Sequence, residues 1–320
     1  MMEYILNLQL FADANVQTTT SDGLTAEMKT YYEKRLLDAA APNLVHDQFG
    51  DKYPIPRNGG KTIEFRKYSA LPVPEQALTE GVTPDGTSLT VSTVTGTVSQ
   101  FGDYVTISDV LDLTGIDRNV AQATKLLGAQ AGKKMDQITR DVMATGGTIH
   151  YPEGANGRSA ITANMPLTTK MVFKAAANLR ANNAPEIDGG YVAIVHPYVA
   201  YDLMTSEGWL ETHKYAQPDE IYEGEIGKLG GVRFVESSEA KIFKGAGASG
   251  ADVYCTFVIG AGAYGVTEVE GGGLQHIVKQ MGAGEDPLNQ RATTGWKALK
   301  TAEILEDQYM VRIEHGCTFK

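Results

Sequence analysis

One stretch of sequence decides the fold of this chain: residues 116–145, which read IDRNVAQATKLLGAQAGKKMDQITRDVMAT. Thr114 and Asp117 before it have the spacing of a helix capping box, and Gly146 is typical of a helix end. The pattern predicts a helix about 45 Å long, which is long for one globular domain. The apolar residues recur at steps of three or four, the spacing of one helix face: Ile116, Val120, Ala123, Leu127, Ala131, Met135, Ile138 and Val142.

Two glycines in this helix, Gly128 and Gly132, lie four residues apart on one face. The same spacing occurs where membrane helices pack closely. Lys133, Lys134 and Asp136 stand beside it, however, and these charges exclude a lipid-facing helix. We therefore expect the backbone of another segment of protein to approach this face. No apolar run in the chain approaches the ~18 to 20 residues that would span a bilayer.

The chain before the helix predicts an arm and an extended hairpin. Residues 5–12 are apolar with polar interruptions and lack a basic flank, which favours a docking arm over a secretory signal. After a polar, Thr-rich connector, residues 25–41 have helical spacing. Residues 62–68 and 89–107 are β-rich, and the Pro- and Gly-rich segment between them predicts the tip of an antiparallel hairpin.

This hairpin is too long, and its tip too polar, to be buried in a compact core. Arms and hairpins that are not buried within a subunit usually find their burial on another one. We therefore expect the charges of the hairpin to set the register between neighbouring subunits. The suspected contact residues are the basic Lys61, Arg66 and Lys67 and the acidic Glu75, Glu80 and Asp85.

The chain after the helix alternates helices and strands. The apolar run 191–195 predicts a strand that is buried on both faces. Together with the hairpin and the long helix, this alternation predicts a mixed α+β protein. The predicted elements are helices at 168–181 and 198–205, strands at 191–195, 231–236 and 254–259, a Gly-rich link at 260–273, a segment at 276–279 and one final run at 295–314.

Composition narrows the function classes. Lys and Arg number 28 against 39 Asp and Glu, so the formal net charge is −11. A protein that binds nucleic acid through its phosphates needs a clustered basic surface. The acidic net charge argues against this class of function. Hydrophobic residues make up 42%, which is typical of a globular chain. The two cysteines, Cys255 and Cys317, exclude a disulfide framework and leave a single bridge open.

No motif predicts a catalytic, cofactor or metal site. The six histidines lack the i, i+4 spacing of metal-binding pairs, and no Cys-x-x-Cys, Gly-x-Ser-x-Gly or Walker sequence occurs. The glycines of residues 245–250 precede a strand and do not follow one, which indicates a surface loop and not a dinucleotide site. His196, at a strand end, is expected to be structural. An enzyme built on residues 166–260 is disfavoured, because no acid, base and nucleophile converge there.

The order of these parts resembles the Hong Kong 97-type major capsid proteins of tailed bacteriophages. Within that group, the sequence is similar to the family typified by coliphage N-four. The resemblance covers nearly the whole chain, from about residue 5 to residue 315. The matching passages are residues 7–12, 78–84, 100–104 with 108–109, 196–197 with 201–203, 224–236 and 286–290 with 295–297.

The resemblance implies a Hong Kong 97-like capsid fold with an N-terminal arm, an extended β-hairpin loop, a long spine helix and an inserted α/β axial domain. It implies no catalytic residues, no cofactor and no metal. The implied divisions are the arm and its helix at 1–45, the extended loop and the strands that enter it at 46–107, the spine helix of the peripheral domain at 108–165, the axial domain at 166–272 and the return to the peripheral domain at 273–320.

The function implied is that of a major capsid protein. Such a subunit self-assembles into pentamers and hexamers of an icosahedral head that encloses double-stranded DNA. The implied location is the virion, with assembly in the host cytoplasm. The implied partners are copies of the chain, a scaffolding protein, a portal, packaged DNA bound without sequence specificity and a decoration protein, with no membrane. An encapsulin-like nanocompartment shell protein of the same fold stays open as the alternative, whereas the long helix argues against a tail or adhesin component.

Overall fold

The computed structural model describes residues 36, 39–40, 44–68, 71–73, 77, 81, 86–114, 119–206, 208–209, 225–270, 272–281, 286 and 288–319. Within these ranges the main helices are α1 (Asp109–Thr114), α2 (Asn119–Met143), α3 (Thr169–Ala181) and α4 (Pro197–Thr205). The strands are β1 (Asp51–Lys52), β2 (Thr62–Tyr68), β3 (Val91–Thr97), β4 (Ser99–Ser108), β5 (Thr148–His150), β6 (Tyr191–Val195), β7 (Glu225–Leu229), β8 (Val232–Glu236), β9 (Ile242–Phe243), β10 (Val253–Ile259), β11 (Tyr264–Glu268), β12 (Gln275–Lys279), β13 (Arg291–Ile304) and β14 (Met310–His315).

The long helix α2 packs against a five-stranded sheet. Four of its strands are ordered β1-β11-β13-β12. The fifth strand, β4, also pairs with β13. Leu127, Ala131 and Met135 of α2 form a buried cluster with Trp296 and Ala298 of β13. The helix predicted from the apolar spacing is thus confirmed over residues 119–143, and its apolar stripe is the face that the sheet covers.

The glycines of α2 are the positions where another segment comes closest. An ideal Cβ on Gly128 would stand 2.7 Å from the carbonyl oxygen of Leu36, and one on Gly132 would collide with that of Ala40. Leu36 and Ala40 are helical and buried, so the approaching backbone belongs to a helix that precedes residue 44. The expected close approach is confirmed. The rest of the helix predicted at 25–41 lies outside the described residues.

The second large sheet has seven strands, in the order β5-β14-β10-β6-β8-β7, with β9 paired to β10. All five residues of β6 are buried. Ala193 and Val195 belong to a core that includes apolar residues of α3 and α4, whereas Val192 and Ile194 pack into a different cluster on the opposite face. The predicted strand with two buried faces is confirmed.

The hairpin forms a separate two-stranded sheet. Strands β2 and β3 pair antiparallel from Thr62 opposite Thr97 to Tyr68 opposite Val91, which confirms the predicted pairing. The second β-rich run does not stay in the hairpin, however. It divides at the buried Val98, after which β4 joins the five-stranded sheet.

Two other predictions from the sequence are wrong in detail. The Gly-rich passage 260–273 is not only a link, because it contains β11, which pairs with β1 and β13. The final run is not one strand but two, and β13 and β14 lie in different sheets. A turn at Asp307–Tyr309 separates them. Both errors concern pairing between segments that are distant in sequence, which local periodicity does not encode.

Candidate assembly surfaces

The base of the hairpin packs against the five-stranded sheet. Phe65 of β2 is buried, and its ring meets that of Tyr53 edge to face with centroids 5.0 Å apart. Gly265 of β11 lies beneath both rings, since a Cβ there would stand 3.3 Å from Tyr53 and 3.4 Å from Phe65. Gly96 of β3 approaches Glu303 in the same way. The base of the hairpin is therefore held by packing on its own chain.

The far end of the hairpin has no such cover within the described part of the chain. Five large apolar side chains are exposed to solvent there, and the exposed fraction reaches 82% for Val73. The sequence-based prediction of a polar tip missed these residues. Leu71, Val73 and Leu89 lie outside β2 and β3, so strand periodicity gave no signal for them. The exposed residues are Tyr68, Leu71, Val73, Leu89 and Val91.

The suspected contact charges separate into three kinds. Lys61 and Arg66 are exposed on the hairpin. Lys67 instead forms an ion pair with Glu306 of its own chain, next to the turn between β13 and β14. The three acidic residues proposed for the tip lie outside the described residues; they are Glu75, Glu80 and Asp85. Of the six, the structure thus describes only the three basic residues, and of these Lys67 is paired within its own chain.

A buried polar cluster, which the sequence did not reveal, fixes residues 46–47 to the spine. His46 Nδ1 lies 2.6 Å from Asp136 Oδ2 of α2, and the backbone N–H of His46 donates to Asp136 Oδ1 at 2.7 Å. Asp47 accepts from Thr139 and pairs with the buried Lys300 of β13. Because charges buried without partners are costly, this cluster fixes the segment that begins at residue 44 to α2.

A second buried ion pair holds β14 to the loop after β5. Glu314 is fully buried, and its Oε1 lies 2.6 Å from Arg158 Nη2 and 3.1 Å from Arg312 Nε. The guanidinium of Arg158 also lies over the ring of Phe243, 3.5 Å from its centroid. These contacts are structural, because the group that links them is closed off from solvent.

An aromatic patch on α4 is partly exposed. The rings of Tyr198 and Phe319 stack with centroids 4.8 Å apart, and Tyr201 meets Phe319 edge to face at 5.0 Å. The carboxylate of Asp202 accepts hydrogen bonds from the backbone N–H and the hydroxyl of Thr318, which fixes the end of the chain on this helix. The patch is a second surface with apolar character, besides the hairpin.

Burial shifts four histidine and cysteine side chains in or next to the seven-stranded sheet toward their neutral forms. Burial lowers the pKa of His315 to about 4 and raises the pKa of Cys317 to about 12. Burial also raises the pKa of the Cys255 thiol, and neither cysteine is bridged. His196, whose pKa burial also lowers, caps α4 by accepting from the backbone N–H of Tyr198 at 3.2 Å. Its expected structural role is confirmed.

The described residues form no metal-binding cluster. In the ranges that the structure describes, no group of three or more His, Cys, Asp or Glu is placed to hold a metal ion. The glycines of residues 245–250 form a loop with a short 3-10 turn ahead of β10, as predicted. None of the described helices combines the length and the apolar composition needed to cross a bilayer.

The fold is that of known phage capsids. The capsid of Cyanophage P-SCSP1u has a TM-score of 0.67 and 17% identity over 86% of this chain and 88% of that one. The capsid of Ralstonia phage GP4 has a TM-score of 0.67 and 13% identity over 85% and 88%. The capsid of Cyanophage Pam1 has a TM-score of 0.65 and 17% identity over 88% and 93%. This similarity establishes a Hong Kong 97-like fold.

No curated protein matches the chain significantly. The family model described as phage capsid protein matches residues 91–313, which is well over half of the chain. The match includes α2 and both large sheets, apart from β1 at one edge. The chain therefore belongs to the phage capsid protein family, and its function is that of a major capsid protein, a structural subunit of the shell.

Proposed function

We propose that this subunit forms the pentamers and hexamers of an icosahedral head around double-stranded DNA, and that its hairpin lies across a neighbouring subunit. In this arrangement, the seven-stranded sheet belongs to the axial domain, and α2 with the five-stranded sheet forms the peripheral domain. The division at residues 166 and 272 changes accordingly, because β5 and β14 join the axial domain from outside it and β11 joins the peripheral domain. The observation that carries the proposal is the exposed apolar end of the hairpin, beside a base that is firmly packed.

The energetics favour such a contact. Burying one Val or Leu side chain contributes about 1.5 to 3 kcal/mol, so the exposed apolar residues of one hairpin supply a useful part of an interface. Each contact can be modest, because every subunit of a closed shell makes several at once. A hairpin of two strands also bends more readily than a packed sheet, which suits one sequence to five-fold and six-fold positions.

The charges of the hairpin have different roles in this proposal. Lys61 and Arg66 are exposed and available to an acidic surface of the neighbour. The acidic residues of the tip, Glu75, Glu80 and Asp85, would face basic residues of a neighbour. Lys67 is satisfied by Glu306 and holds the hairpin at its angle to the five-stranded sheet. Exposed pairs are each worth ~0 to 1 kcal/mol, so they set register more than affinity.

The experiment compares Arg66→Glu with Lys67→Glu in purified protein, using negative-stain electron microscopy and native mass spectrometry. Arg66→Glu is expected to reduce closed shells, to make the remainder more sensitive to salt and to leave the unfolding of the subunit unchanged. Lys67→Glu is expected to loosen the hairpin within the subunit, seen as faster hydrogen exchange in β2 and β3. Shell yield and salt sensitivity equal to the unmodified protein for Arg66→Glu would contradict the intersubunit role.

The remaining partners follow from the same assignment. We propose a scaffolding protein and a portal during assembly in the host cytoplasm, a decoration protein on the finished shell, and no catalytic activity. The net charge of −11 supports an inner wall that contacts DNA without sequence specificity and does not trap it. A nanocompartment shell protein shares this fold, but the family match favours the phage head. Electron micrographs of particles from infected cells, with or without DNA inside, distinguish the two.

A further inference from the structure

The chain contains two Asn-Gly pairs, Asn58–Gly59 and Asn156–Gly157. Asparagine is one of the thermally labile residues. Its side chain is attacked most readily by the backbone nitrogen of a following glycine, because glycine has no Cβ to hinder the approach and its backbone rotates freely. The two pairs are alike in sequence, and both asparagines are exposed. Only their backbone environments differ.

Asn58 lies in a tight turn ahead of β2, and this turn protects it. The backbone N–H of Gly59 donates to the carbonyl oxygen of Pro56 at 2.9 Å, which closes the turn. Asn58 has a φ of 68°, in the left-handed region that asparagine tolerates in turns. The nitrogen that would have to attack the side chain is therefore already hydrogen-bonded, and the backbone around it is fixed.

Asn156 lies in the loop after β5, between two turns that leave it out. The N–H of Ala155 donates to Pro152 O at 3.1 Å, and the N–H of Ala160 donates to Gly157 O at 3.1 Å. Among the residues that the structure describes, none accepts a hydrogen bond from the N–H of Gly157, and none bonds to the side chain of Asn156. Both reacting groups of this pair are therefore available.

The two sides of this loop are anchored. Ala155 is buried in a cluster with Ile161 and Val253, and the guanidinium of Arg158 pairs with the buried Glu314. These contacts hold the residues on either side of the pair and leave the pair itself at the surface. Solvent therefore reaches Asn156 without any unfolding of the loop.

We propose that Asn156 is a deamidation site of the folded subunit and that Asn58 is not. The Gly157 nitrogen gives its proton to hydroxide and attacks Cγ of Asn156. A new C–N bond closes a five-membered succinimide ring, the bond from Cγ to the amide nitrogen breaks, and ammonia leaves with a proton taken from water. Water then adds to either ring carbonyl and opens the ring to aspartate or isoaspartate.

The reaction changes the surface next to a structural contact. It adds a negative charge two residues before Arg158, and the isoaspartate product also lengthens the backbone by one atom. Arg158 holds Glu314 of β14, so the change lies beside a contact of the seven-stranded sheet. This inference goes beyond the proposed function, because it concerns a single subunit and does not depend on how subunits assemble.

Peptide mapping by mass spectrometry tests the proposal on the full chain kept at mildly alkaline pH. Cleavage after glutamate places the two asparagines in separate peptides, residues 34–64 and 154–186. In the folded protein, Asn156 is expected to convert to aspartate and isoaspartate while Asn58 stays intact. In urea-unfolded protein, both are expected to convert at comparable rates, because the turn at Pro56 is lost. An intact Asn156, or equal conversion at both pairs in the folded protein, would overturn the proposal.

Gly157→Ala tests the route of the reaction. A Cβ on Gly157 would meet no atom within 4 Å, and the backbone there is extended with a φ of 175°, so the subunit tolerates alanine. The added methyl group hinders ring closure, and conversion of Asn156 is expected to fall severalfold. Ser159→Ala, at an exposed position of the same loop, is the matched control and is expected to leave the rate unchanged. Equal rates in the two variants would contradict attack by the Gly157 nitrogen.

Discussion

The seven-stranded sheet and the hairpin both contain large apolar and aromatic side chains, but the sheet buries them and the hairpin leaves them exposed. Val192 and Ile194 of β6 are 0% exposed, whereas Val91 of β3 is 46% exposed and Tyr68 of β2 is 62% exposed. The sheet has neighbouring strands on both sides of β6 and a packed layer on each face. The hairpin has two strands, and Phe65 is the one buried side chain of β2 and β3. Because a two-stranded ribbon is marginal alone in water, the sheet stabilises the subunit and the hairpin remains available to another one.

The largest expected effect is on the sheet core. Phe257→Ala removes a fully buried ring and is expected to lower the free energy of unfolding by about 3 to 5 kcal/mol. Leu71→Ala on the hairpin is expected to change it by less than about 0.5 kcal/mol. Denaturant unfolding of the subunit measures both. If Phe257→Ala does not fold, Ile194→Val is the milder variant, with an expected loss of about 1 kcal/mol.

Equal losses for Phe257→Ala and Leu71→Ala would break the comparison between the two regions, because the hairpin would then contribute to the stability of its own subunit.

The second effect on stability is expected at the buried ion pair of Glu314 in the seven-stranded sheet. Glu314→Gln leaves Arg158 and Arg312 facing a neutral group and is expected to cost about 3 to 5 kcal/mol of unfolding free energy. Glu153→Gln is the control, since Glu153 pairs with Lys170 on the surface and its loss should leave stability unchanged. A similar drop in melting temperature for both variants would show that burial is not the cause.

Lowering the pH is expected to destabilise the seven-stranded sheet through the protonation of His315. Its Nδ1–H donates to Gly316 O at 2.7 Å, and its Nε2 accepts from the Thr256 hydroxyl at 2.9 Å, so the folded state holds the ring neutral. Burial lowers its pKa to about 4, whereas an unfolded histidine titrates near pH ~6.5. The unfolded state therefore binds more protons between these values, and stability falls as the pH drops through that window, by about 3 kcal/mol in total.

His315→Gln is expected to flatten this dependence of the melting temperature on pH between about 6.5 and 4. A slope identical to that of the unmodified protein would assign acid sensitivity to other groups.

The smallest effect on the subunit is expected for the hairpin tip. Val73→Asp should change the free energy of unfolding by less than about 0.5 kcal/mol, because the side chain is 82% exposed. Sedimentation should nevertheless reveal fewer closed shells. Ala77→Asp, at another exposed position of the same segment, serves as the control for added charge and should assemble more fully, because it removes less apolar surface. Full assembly of both variants would exclude the apolar tip from the interface.

Much of the fold could be predicted because it follows local rules. The apolar stripe of α2, the four-residue spacing of Gly128 and Gly132 that predicted a close approach, and the structural character of His196 are patterns of residues near each other in sequence. The functional surfaces were harder to predict. The charges of the hairpin were visible, but the exposure of Leu71 and Val73 depends on which segments fail to cover them.

The sequence alone determined the periodicities: where the main helices and most of the strands form, which faces are apolar, and that the order of parts resembles the one found in phage capsids. Tertiary structure decided the pairing of distant segments. The strand β11 inside a Gly-rich passage, the contact of His46 with Asp136 and the pairing of Lys67 with Glu306 each join residues far apart along the chain. Local patterns specify a face to be buried, but the partner that buries it is chosen by the packing of the whole chain.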